Sequence, residues 1–273
     1  MSDINQLISI IIPVFNESES IGFLLNEVIS VMESHKLNFE LIVVNDGSKD
    51  DTHQVLKQLT FKITELSVIC LRKNYGQTAA MAAGFENSKG DILITLDGDL
   101  QNDPKDIPKL ISEINNGYDL VCGWRFDRKD KLINRKIPSK IANKLIAKVT
   151  GLKLHDYGCS LKAFKKEIID DIKLYGELHR FLPVLAFIEG ARIKEIKVNH
   201  RSRKYGSSKY GIDRTFRVLM DLLTVWFMTK FLTRPMYGFG FVGIISIMVS
   251  LAMSSYLIVI KIMGEDIGNR PLL

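Results

Sequence analysis

The chain has 273 residues, of which 46% are hydrophobic and 25% are charged. These values are typical of a folded globular protein and argue against a disordered, collagen-like or coiled-coil chain. The formal net charge of +6 fits either nucleic-acid binding or contact with an anionic membrane, so the distribution of the charge has to decide between them.

Cysteine usage and the N-terminus both point to a reducing compartment. Cys70, Cys122 and Cys159 are far apart and form no CxxC pair, which indicates neither a disulfide framework nor a zinc site. Residues 1–6 lack a basic segment, and Pro13 interrupts the apolar run that follows. This pattern differs from that of a signal peptide.

The first part of the chain alternates apolar, β-branched runs with helical stretches. Strands are predicted at residues 7–12, 40–44, 67–71, 91–96 and 118–123, and helices at residues 18–34, 50–62, 78–88 and 104–116. The strands are nearly all apolar rather than alternating, as in a parallel sheet that is covered on both faces. The sequence therefore predicts an open α/β domain whose ligands bind beyond the carboxyl ends of the strands.

Acidic, turn-forming motifs follow the first two predicted strands. The motifs are Pro-Val-Phe-Asn-Glu at 13–17 and Asn-Asp-Gly-Ser-Lys-Asp-Asp-Thr at 45–52. The second motif is by itself a good turn and helix cap, and its carboxylate can also accept hydrogen bonds from a nucleobase or ribose. No GxGxxG follows a predicted strand and no P-loop motif occurs, which argues against the common dinucleotide and nucleoside triphosphate sites.

The fourth predicted strand ends in Asp97-Gly98-Asp99. Two carboxylates at this spacing can bind one hard cation and leave room for a diphosphate to complete its coordination. An isolated DxD motif is often only a solvated loop. Its place at the end of a buried strand, after two other acidic strand ends, favours a metal–diphosphate site.

Basic residues concentrate in two segments. Residues 123–140 contain seven Lys or Arg against two acids, and residues 192–217 contain nine against two. Each segment is open to two interpretations: a phosphate-binding site, or a solvated loop attracted to anionic lipid. No nucleic-acid recognition motif accompanies them, so we expect no nucleic-acid partner.

The C-terminal part favours attachment to a membrane. Residues 212–232 predict a helix with a thin polar stripe, which is either a core helix or one that lies in the bilayer interface. The next 25 residues, 236–260, contain no charged residue, so they can form a membrane-spanning helix or, less simply, a buried core helix. Lys230 and Arg234 precede this segment, which predicts a cytoplasmic N-terminal part.

The motifs carry a resemblance to a known family. Pro-Val-Phe-Asn-Glu, Val-Asn-Asp-Gly-Ser-x-Asp-Asp-Thr and Asp-Gly-Asp-Leu-Gln, in this order, resemble the GT-A glycosyltransferases of family two, in the group of dolichol-phosphate-mannose synthases and polyprenyl-phosphate glucosyltransferases. The resemblance continues through Gly-Cys-Ser-Leu-Lys at 158–162, Glu-Leu-His-Arg-Phe-Leu-Pro at 177–183 and the basic stretch at 201–210.

The resemblance implies a fold, a reaction and a domain organisation. The fold would be a GT-A, Rossmann-like α/β domain with a mostly parallel sheet. The reaction would be inverting transfer of one sugar from a nucleotide sugar to a polyprenyl phosphate such as undecaprenyl phosphate. The domains would be residues 1–211 (cytoplasmic GT-A domain), 212–232 (interfacial helix), 236–262 (transmembrane helix) and 263–273 (a tail, where relatives often have a second span).

It also implies roles for individual residues. The nucleoside of the donor would be held by Pro13, Glu17, Asp46 and Asp97. A catalytic Mg2+ or Mn2+ would be held by Asp97, Asp99 and Gln101. The acceptor phosphate would be held by Arg125, Arg135 and Ser139. A loop over the donor diphosphate would contain Arg201, Arg203 and Lys209. The family often has Ala at position 98, and Gly98 is expected only to loosen the loop.

Two further residues are open to more than one interpretation, and a third is expected to be unreactive. Asp156 is the nearest candidate for a catalytic base if the acceptor is a sugar hydroxyl, whereas a lipid phosphate is already anionic and needs cations more than a base. His179 is either an acid–base residue or a structural one. Cys159 has no adjacent histidine and carboxylate signature, so we do not expect a nucleophilic thiol.

The identity of the donor sugar and the oligomeric state are expectations only. UDP-glucose is the first choice of donor, followed by GDP-mannose and UDP-N-acetylglucosamine, and a homo-oligomer would cover the apolar helix faces. A processive polysaccharide synthase is an alternative, but its Gln-x-x-Arg-Trp motif is absent. The other alternative is an inactive membrane scaffold that binds nucleotide sugars.

Overall fold

The computed structural model describes residues 6–126, 143–144, 146–148, 150–202, 220, 223–224, 226–227, 230–231 and 235–264. Contacts between residues divide the chain into two units, Met1–Asp221 and Leu222–Leu273. Each unit is described by itself.

The first unit contains a mixed sheet with helices on both faces. Its described strands are β1 (Leu7–Val14), β2 (Asn38–Asn45), β3 (Leu66–Cys70), β4 (Ile92–Thr95), β5 (Leu120–Arg125), β6 (Lys162–Lys165) and β7 (Ile193–Val198). Its described α-helices are α1 (Ile21–Ser34), α2 (Thr52–Thr60), α3 (Gln77–Glu86), α4 (Ile107–Asn115), α5 (Lys166–Asp170) and α6 (Leu182–Ile188). The strand order is β3-β2-β1-β4-β6-β5-β7.

Alternate residues of β1 belong to two separate cores. Ile8, Ile10 and Ile12 pack with α1 and α4 on one face of the sheet. Ile11 packs with α3 and α6 on the other face. Successive side chains of a strand point to opposite faces, so a strand buried on both sides has to be apolar along its whole length. This confirms the prediction of a sheet covered on both faces.

Strand β6 is the antiparallel member of the sheet. It lies between β4 and β5 and pairs antiparallel with both. The other described pairs, including β5 with β7, are parallel. Neither β6 nor β7 was predicted from the sequence, although the expectation of a mostly parallel GT-A sheet is confirmed. The helix predicted at 104–116 begins with a 3-10 turn, Pro104–Asp106, before α4.

The strand register brings the acidic loops to one edge of the sheet. Val14 is opposite Asn45, and Ile11 is opposite Thr95, so β1, β2 and β4 end close together. Thr95 and Cys122 are both opposite Lys162, the first residue of the antiparallel β6. The segment that leads into β6 therefore reaches the same edge as the ends of β4 and β5.

The second unit contains a long apolar helix, α7 (Pro235–Ile262). An 18-residue stretch within Met236–Ile262 has a mean hydropathy of 2.2, and only 6% of this stretch is buried. By length and composition it can cross a membrane. A core helix of a soluble protein would be mostly buried, which this helix is not. Most of the interfacial helix expected at 212–232 lies outside the described residues.

Helix α3 packs close to β1 at Gly84. A Cβ atom at this position would lie 2.4 Å from Ile11 Cγ2, whereas a Cβ at Gly22 of α1 would have no atom within 4 Å. Ile11 is fully buried, so it has little room to move. The close approach of α3 to the sheet therefore requires glycine at position 84.

We expect Gly84→Ala to lower the free energy of unfolding by about 1–3 kcal/mol, because overpacking at Ile11 outweighs the better helix propensity of alanine. Gly22→Ala is the matched control and should be neutral or stabilising by up to about 1 kcal/mol. Chemical unfolding of the full chain in detergent measures both. Equal stabilities for the two variants would show that the contact at Gly84 relaxes without cost.

Candidate active site

An open cleft lies at the carboxyl ends of β1, β2 and β4. It holds about 350 Å³ of water-accessible space. Its lining residues are Pro13, Val14, Phe15, Glu17, Asp46, Asn74, Gly76, Gln77, Ala80, Asp97, Gly98, Asp99, Glu177, His179 and Arg180. Five of the residues expected at the site therefore lie together in it, namely Pro13, Glu17, Asp46, Asp97 and Asp99.

Asp46 is buried at the end of β2 and holds the loop that precedes α3. Its Oδ1 accepts a hydrogen bond from the N–H of Tyr75 at 2.7 Å, and its Oδ2 accepts one from the N–H of Gly76 at 2.9 Å. The next residue, Gly47, has a φ of 65°, and a Cβ there would lie 2.4 Å from the carbonyl carbon of Lys73. The turn after β2 thus requires glycine and fixes one wall of the cleft.

The loops after β1 and β2 are tied to each other. The N–H of Asn16 donates to Ser48 Oγ, and the N–H of Lys49 donates to Asn16 Oδ1. The N–H of Glu17 donates to Thr52 Oγ1 at 2.9 Å. The Glu17 carboxylate accepts a hydrogen bond from Ser20 Oγ at 2.8 Å. The cleft wall that contains Glu17 is therefore preorganised.

The Asp97-Gly98-Asp99 motif lies in the cleft. Gln77 Nε2 donates to Asp97 Oδ1 at 2.8 Å. Asp99 is 7% exposed, and its Oδ1 accepts a hydrogen bond from the N–H of Gln101 at 3.1 Å. A Cβ at Gly98 would lie 2.8 Å from Val14 Cγ1. The expectation that Gly98 only loosens the loop is therefore wrong, because Val14 occupies the space that an alanine would need.

The donor set fits a divalent cation that is shared with a substrate. No group of three His, Cys, Asp or Glu side chains that could hold a metal ion occurs among the described residues. Mg2+ is commonly held by one or two carboxylates together with substrate phosphates, rather than by a cage of protein ligands. Asp97 and Asp99 provide two such carboxylates. Gln101 does not line the cleft, and its backbone supports Asp99.

The far side of the cleft is formed by the segment that contains His179. This histidine is 8% exposed, and its Nδ1 shares a 2.7 Å hydrogen bond with Thr78 Oγ1. Glu177 Oε2 lies 4.0 Å from the same nitrogen. Thr78 belongs to the first turn of α3, so the histidine is fixed in orientation while it lines the cleft. The alternatives of an acid–base and a structural role both remain compatible with this position.

Arg125 and Asp156 form a buried bidentate ion pair outside the cleft lining. The Nε and Nη2 atoms of Arg125 lie 2.6 and 2.9 Å from the two carboxylate oxygens of Asp156. Burial alone would lower the pKa of Arg125, but the hydrogen bonds and the charge of Asp156 raise this pKa above its usual value. Asp156 Oδ1 also accepts a hydrogen bond from the N–H of Gly158 at 3.1 Å. Both oxygens are thus engaged, which disfavours proton abstraction by Asp156.

Arg201 makes two ion pairs close to the DxD loop. Its Nη1 lies 2.6 Å from Glu27 Oε2, and its Nη2 lies 2.7 Å from Asp103 Oδ1. Burial alone would raise the pKa of Asp103, but hydrogen bonds from Asn199 and Lys105 and the charge of Arg201 bring this pKa below its usual value. Arg201 therefore joins the end of the DxD loop to the start of the basic stretch at 201–210.

The buried cysteines are not nucleophiles. Cys122 and Cys159 are fully buried, and burial is the main cause that raises their pKa to about 12 and about 11. At neutral pH both thiols are protonated, and the thiolate is the reactive form. Arg135, Ser139, Arg203 and Lys209 lie outside the described residues.

Sequence reasoning missed Gln77 and Thr78, and it assigned no role to Arg180. The available signal for the first two was their position directly after the loop that follows β3, where the rule of ligands at strand ends applies. Their contacts with Asp97 and His179 join residues that are 20 and 101 positions apart. Such long-range pairs are not visible in a single sequence.

Comparisons with known proteins identify the family. The family model described as "Glycosyl transferase family 2" matches residues 9–173. The chain is 47% identical over 271 residues to the dodecaprenyl-phosphate galacturonate synthase of Rhizobium johnstonii, covering 97% of this chain and 80% of that protein. It is 38% identical over 263 residues to the undecaprenyl-phosphate 4-deoxy-4-formamido-L-arabinose transferase of Aeromonas hydrophila, covering 96% of this chain and 79% of that protein.

Solved structures show the same fold at low sequence identity. Glucosyl-3-phosphoglycerate synthase from Mycobacterium tuberculosis, in complex with Mn2+, UDP and glucosyl-3-phosphoglycerate, matches with a TM-score of 0.65 and 17% identity. The match covers 82% of this chain and 80% of that chain.

We expect Asp156→Ala to lower the free energy of unfolding by about 3–5 kcal/mol, because it leaves the Arg125 guanidinium buried without its partner. The double variant Arg125→Met with Asp156→Leu removes both charges and should recover most of this loss. Asp170→Ala, an exposed carboxylate, is the control. Chemical unfolding measures all three, and a double variant no more stable than Asp156→Ala would contradict the ion-pair account.

Proposed function

The chain belongs to glycosyl transferase family 2, and we propose that it transfers one sugar from a nucleotide sugar to the phosphate of a polyprenyl phosphate, such as undecaprenyl phosphate, at a membrane surface. The class of acceptor is supported by the two relatives, whose names specify dodecaprenyl and undecaprenyl phosphate and which this chain matches over nearly its whole length.

The geometry of the Arg125–Asp156 ion pair favours a lipid phosphate over a hydroxyl group as the acceptor. A hydroxyl acceptor needs a base that removes its proton, and Asp156, the base candidate, has both oxygens engaged by Arg125. A lipid phosphate is already ionised and needs a cation to position it. In this proposal Asp156 orients Arg125, and Arg125 binds the acceptor phosphate together with Arg135 and Ser139 of the adjoining basic segment.

The donor binds in the cleft. Pro13, Glu17 and Asp46 contact the nucleoside, and Asp97 and Asp99 hold Mg2+ or Mn2+ against the diphosphate, with Gln101 supporting Asp99. A divalent cation at this position stabilises the negative charge of the leaving nucleoside diphosphate. The acceptor oxygen attacks the anomeric carbon from the opposite side, so the configuration there is inverted. The segment with Arg201, Arg203 and Lys209 closes over the donor.

Attachment to the membrane follows from the C-terminal part of the chain. In this proposal α7 spans the bilayer, residues 212–232 lie in its interface, and residues 1–211 are cytoplasmic. The length and apolar surface of α7 support the first point. The basic residues at 192–217 would bring the catalytic domain close to anionic lipid. Association into a homo-oligomer would cover part of the apolar helix surface.

The names of the relatives bear on the identity of the transferred sugar. Glucose was expected from the sequence, but the names of the two relatives specify galacturonate and 4-deoxy-4-formamido-L-arabinose. These relatives give no support to glucose, so UDP-galacturonate is the first donor to test, beside UDP-glucose.

The direct test is transfer of labelled sugar from a panel of nucleotide sugars into organic-extractable undecaprenyl phosphate by the purified full chain with Mg2+ or Mn2+. We expect a labelled lipid from at least one donor. Asp99→Asn should reduce the rate by about 100-fold or more because it weakens metal binding at the diphosphate. Asp171→Asn, an exposed carboxylate, is the control. Nucleotide binding without any lipid product would reject the proposed acceptor.

The hydrogen bond from Gln77 to Asp97 predicts a change in metal affinity. We expect Gln77→Leu to raise the Mn2+ concentration for half-maximal activity by about 10-fold, because groups that orient metal ligands contribute about this much to metal affinity. Gln54→Leu, on the exposed face of α2, should leave it unchanged. Mn2+ titrations of transfer activity measure the effect. An unchanged Mn2+ requirement in Gln77→Leu would show that Asp97 keeps its orientation unaided.

A further inference from the structure

The charges that line the cleft are unevenly distributed. Five lining residues are carboxylates: Glu17, Asp46, Asp97, Asp99 and Glu177. Among the lining residues that the structure describes, one has a guanidinium group, Arg180. Such a cation beside carboxylates is a candidate anion site because arginine binds planar anions through paired hydrogen bonds.

Arg180 has no acidic partner within the part of the chain that the structure describes. No ion pair or hydrogen bond joins its guanidinium to a residue that the structure describes, whereas Arg125, Arg192 and Arg201 are each paired with a carboxylate. The side chain is half-buried at the cleft wall. A partly desolvated guanidinium that lacks an internal partner is available to an anionic group of a ligand.

The backbone at Arg180 is firmly anchored. His179, on one side, is hydrogen-bonded to Thr78. Phe181, on the other side, is 1% exposed and belongs to the buried core. Arg180 therefore lines the cleft from a fixed segment, and little ordering of the backbone is needed for it to bind a ligand.

Contacts at the N-terminal end of α3 indicate the order in which parts of the donor lie along the cleft. Gly76 contacts Asp46, Gln77 contacts Asp97, and Thr78 contacts His179. With the nucleoside at Asp46 and the diphosphate at Asp97, as proposed above, the next group of the donor is the sugar. The segment that contains His179 and Arg180 follows at that place.

We infer that Arg180 binds a carboxylate on the transferred sugar, so that the donor is a nucleotide-activated uronic acid. This inference rests on the proposed function and specifies its substrate class. A uronosyl group brings one more negative charge into a cleft that already has five carboxylates, and the cation proposed at the diphosphate would be engaged with the phosphates. The guanidinium of Arg180 compensates the additional charge, which a sugar with a C6 alcohol does not carry.

The test uses two donors that differ only in the oxidation state of C6, UDP-galacturonate and UDP-galactose. We expect the unmodified chain to prefer UDP-galacturonate in kcat/KM. Arg180→Gln should lower kcat/KM for UDP-galacturonate by about 10- to 100-fold, the value of a hydrogen-bonded charged pair, and for UDP-galactose by less than about 3-fold. Arg180→Lys, which keeps the charge, should recover part of the loss. Arg192→Gln, at an exposed arginine outside the cleft, is the matched control.

Binding of UDP separates the sugar from the diphosphate. If Arg180 binds the sugar carboxylate, calorimetry should give equal UDP affinities for Arg180→Gln and the unmodified chain in the presence of Mn2+. Weaker UDP binding, or an equal loss of kcat/KM for both donors, would assign Arg180 to the diphosphate and overturn the inference. A preference of the unmodified chain for UDP-galactose would overturn it as well.

Failure of the proposed function would give a different result. If no donor yields a lipid product, the polyprenyl phosphate acceptor is rejected, and the affinities for UDP-galacturonate and UDP-galactose still decide the role of Arg180. A tighter complex with UDP-galacturonate that is lost in Arg180→Gln supports the inference. Equal affinities for the two donors overturn it. Thermal unfolding of Arg180→Gln shows whether the variant is folded under the conditions of the assay.

Discussion

The first turn of α3 fastens three loops that come from separate parts of the chain, and the shape of the cleft depends on these contacts. The pairs are Tyr75 and Gly76 with Asp46, Gln77 with Asp97, and Thr78 with His179. A buried polar group that loses its partner costs about 1–3 kcal/mol, so the loops cannot readily separate from the helix. The parts of the cleft that we propose for the nucleoside, diphosphate and sugar are thereby set by one helix end.

The position of this helix end depends in turn on how closely α3 approaches the sheet. Gly84 follows Gln77 by seven residues, or about two turns, so both lie on the same face of α3. The absence of a side chain at Gly84 lets the helix rest against Ile11. A helix held farther from β1 would move Gln77 away from Asp97, which follows β4. The packing of Gly84 against Ile11 therefore also determines how Gln77 orients the Asp97 carboxylate.

The apolar strands and the carboxylates that follow them could be predicted from the sequence, because each depends on a residue type at a defined position. Strands β1 to β5 were predicted because a doubly covered parallel strand is nearly all apolar, as β1 is apart from Ser9. Strand β7, with its alternating Lys and Glu, and the four-residue β6 carry no such signal. The cleft carboxylates were found because they follow strands. Gln77 and Thr78 were not assigned, since their contacts with Asp97 and His179 join residues that are distant in the sequence.

The acidic and basic residues of the chain are concentrated in different regions. The cleft is acidic, so a nucleoside diphosphate, itself an anion, enters it favourably only together with a cation, which Asp97 and Asp99 are placed to share. The excess of positive charge lies instead in residues 123–140 and 192–217. Arg125 stands at the start of the first basic segment, and Arg201, fixed by Asp103 and Glu27, lies within the second. Separate acidic and basic regions of this kind would allow the proposed metal-bound donor and anionic lipid acceptor to be recognised without competing for the same groups.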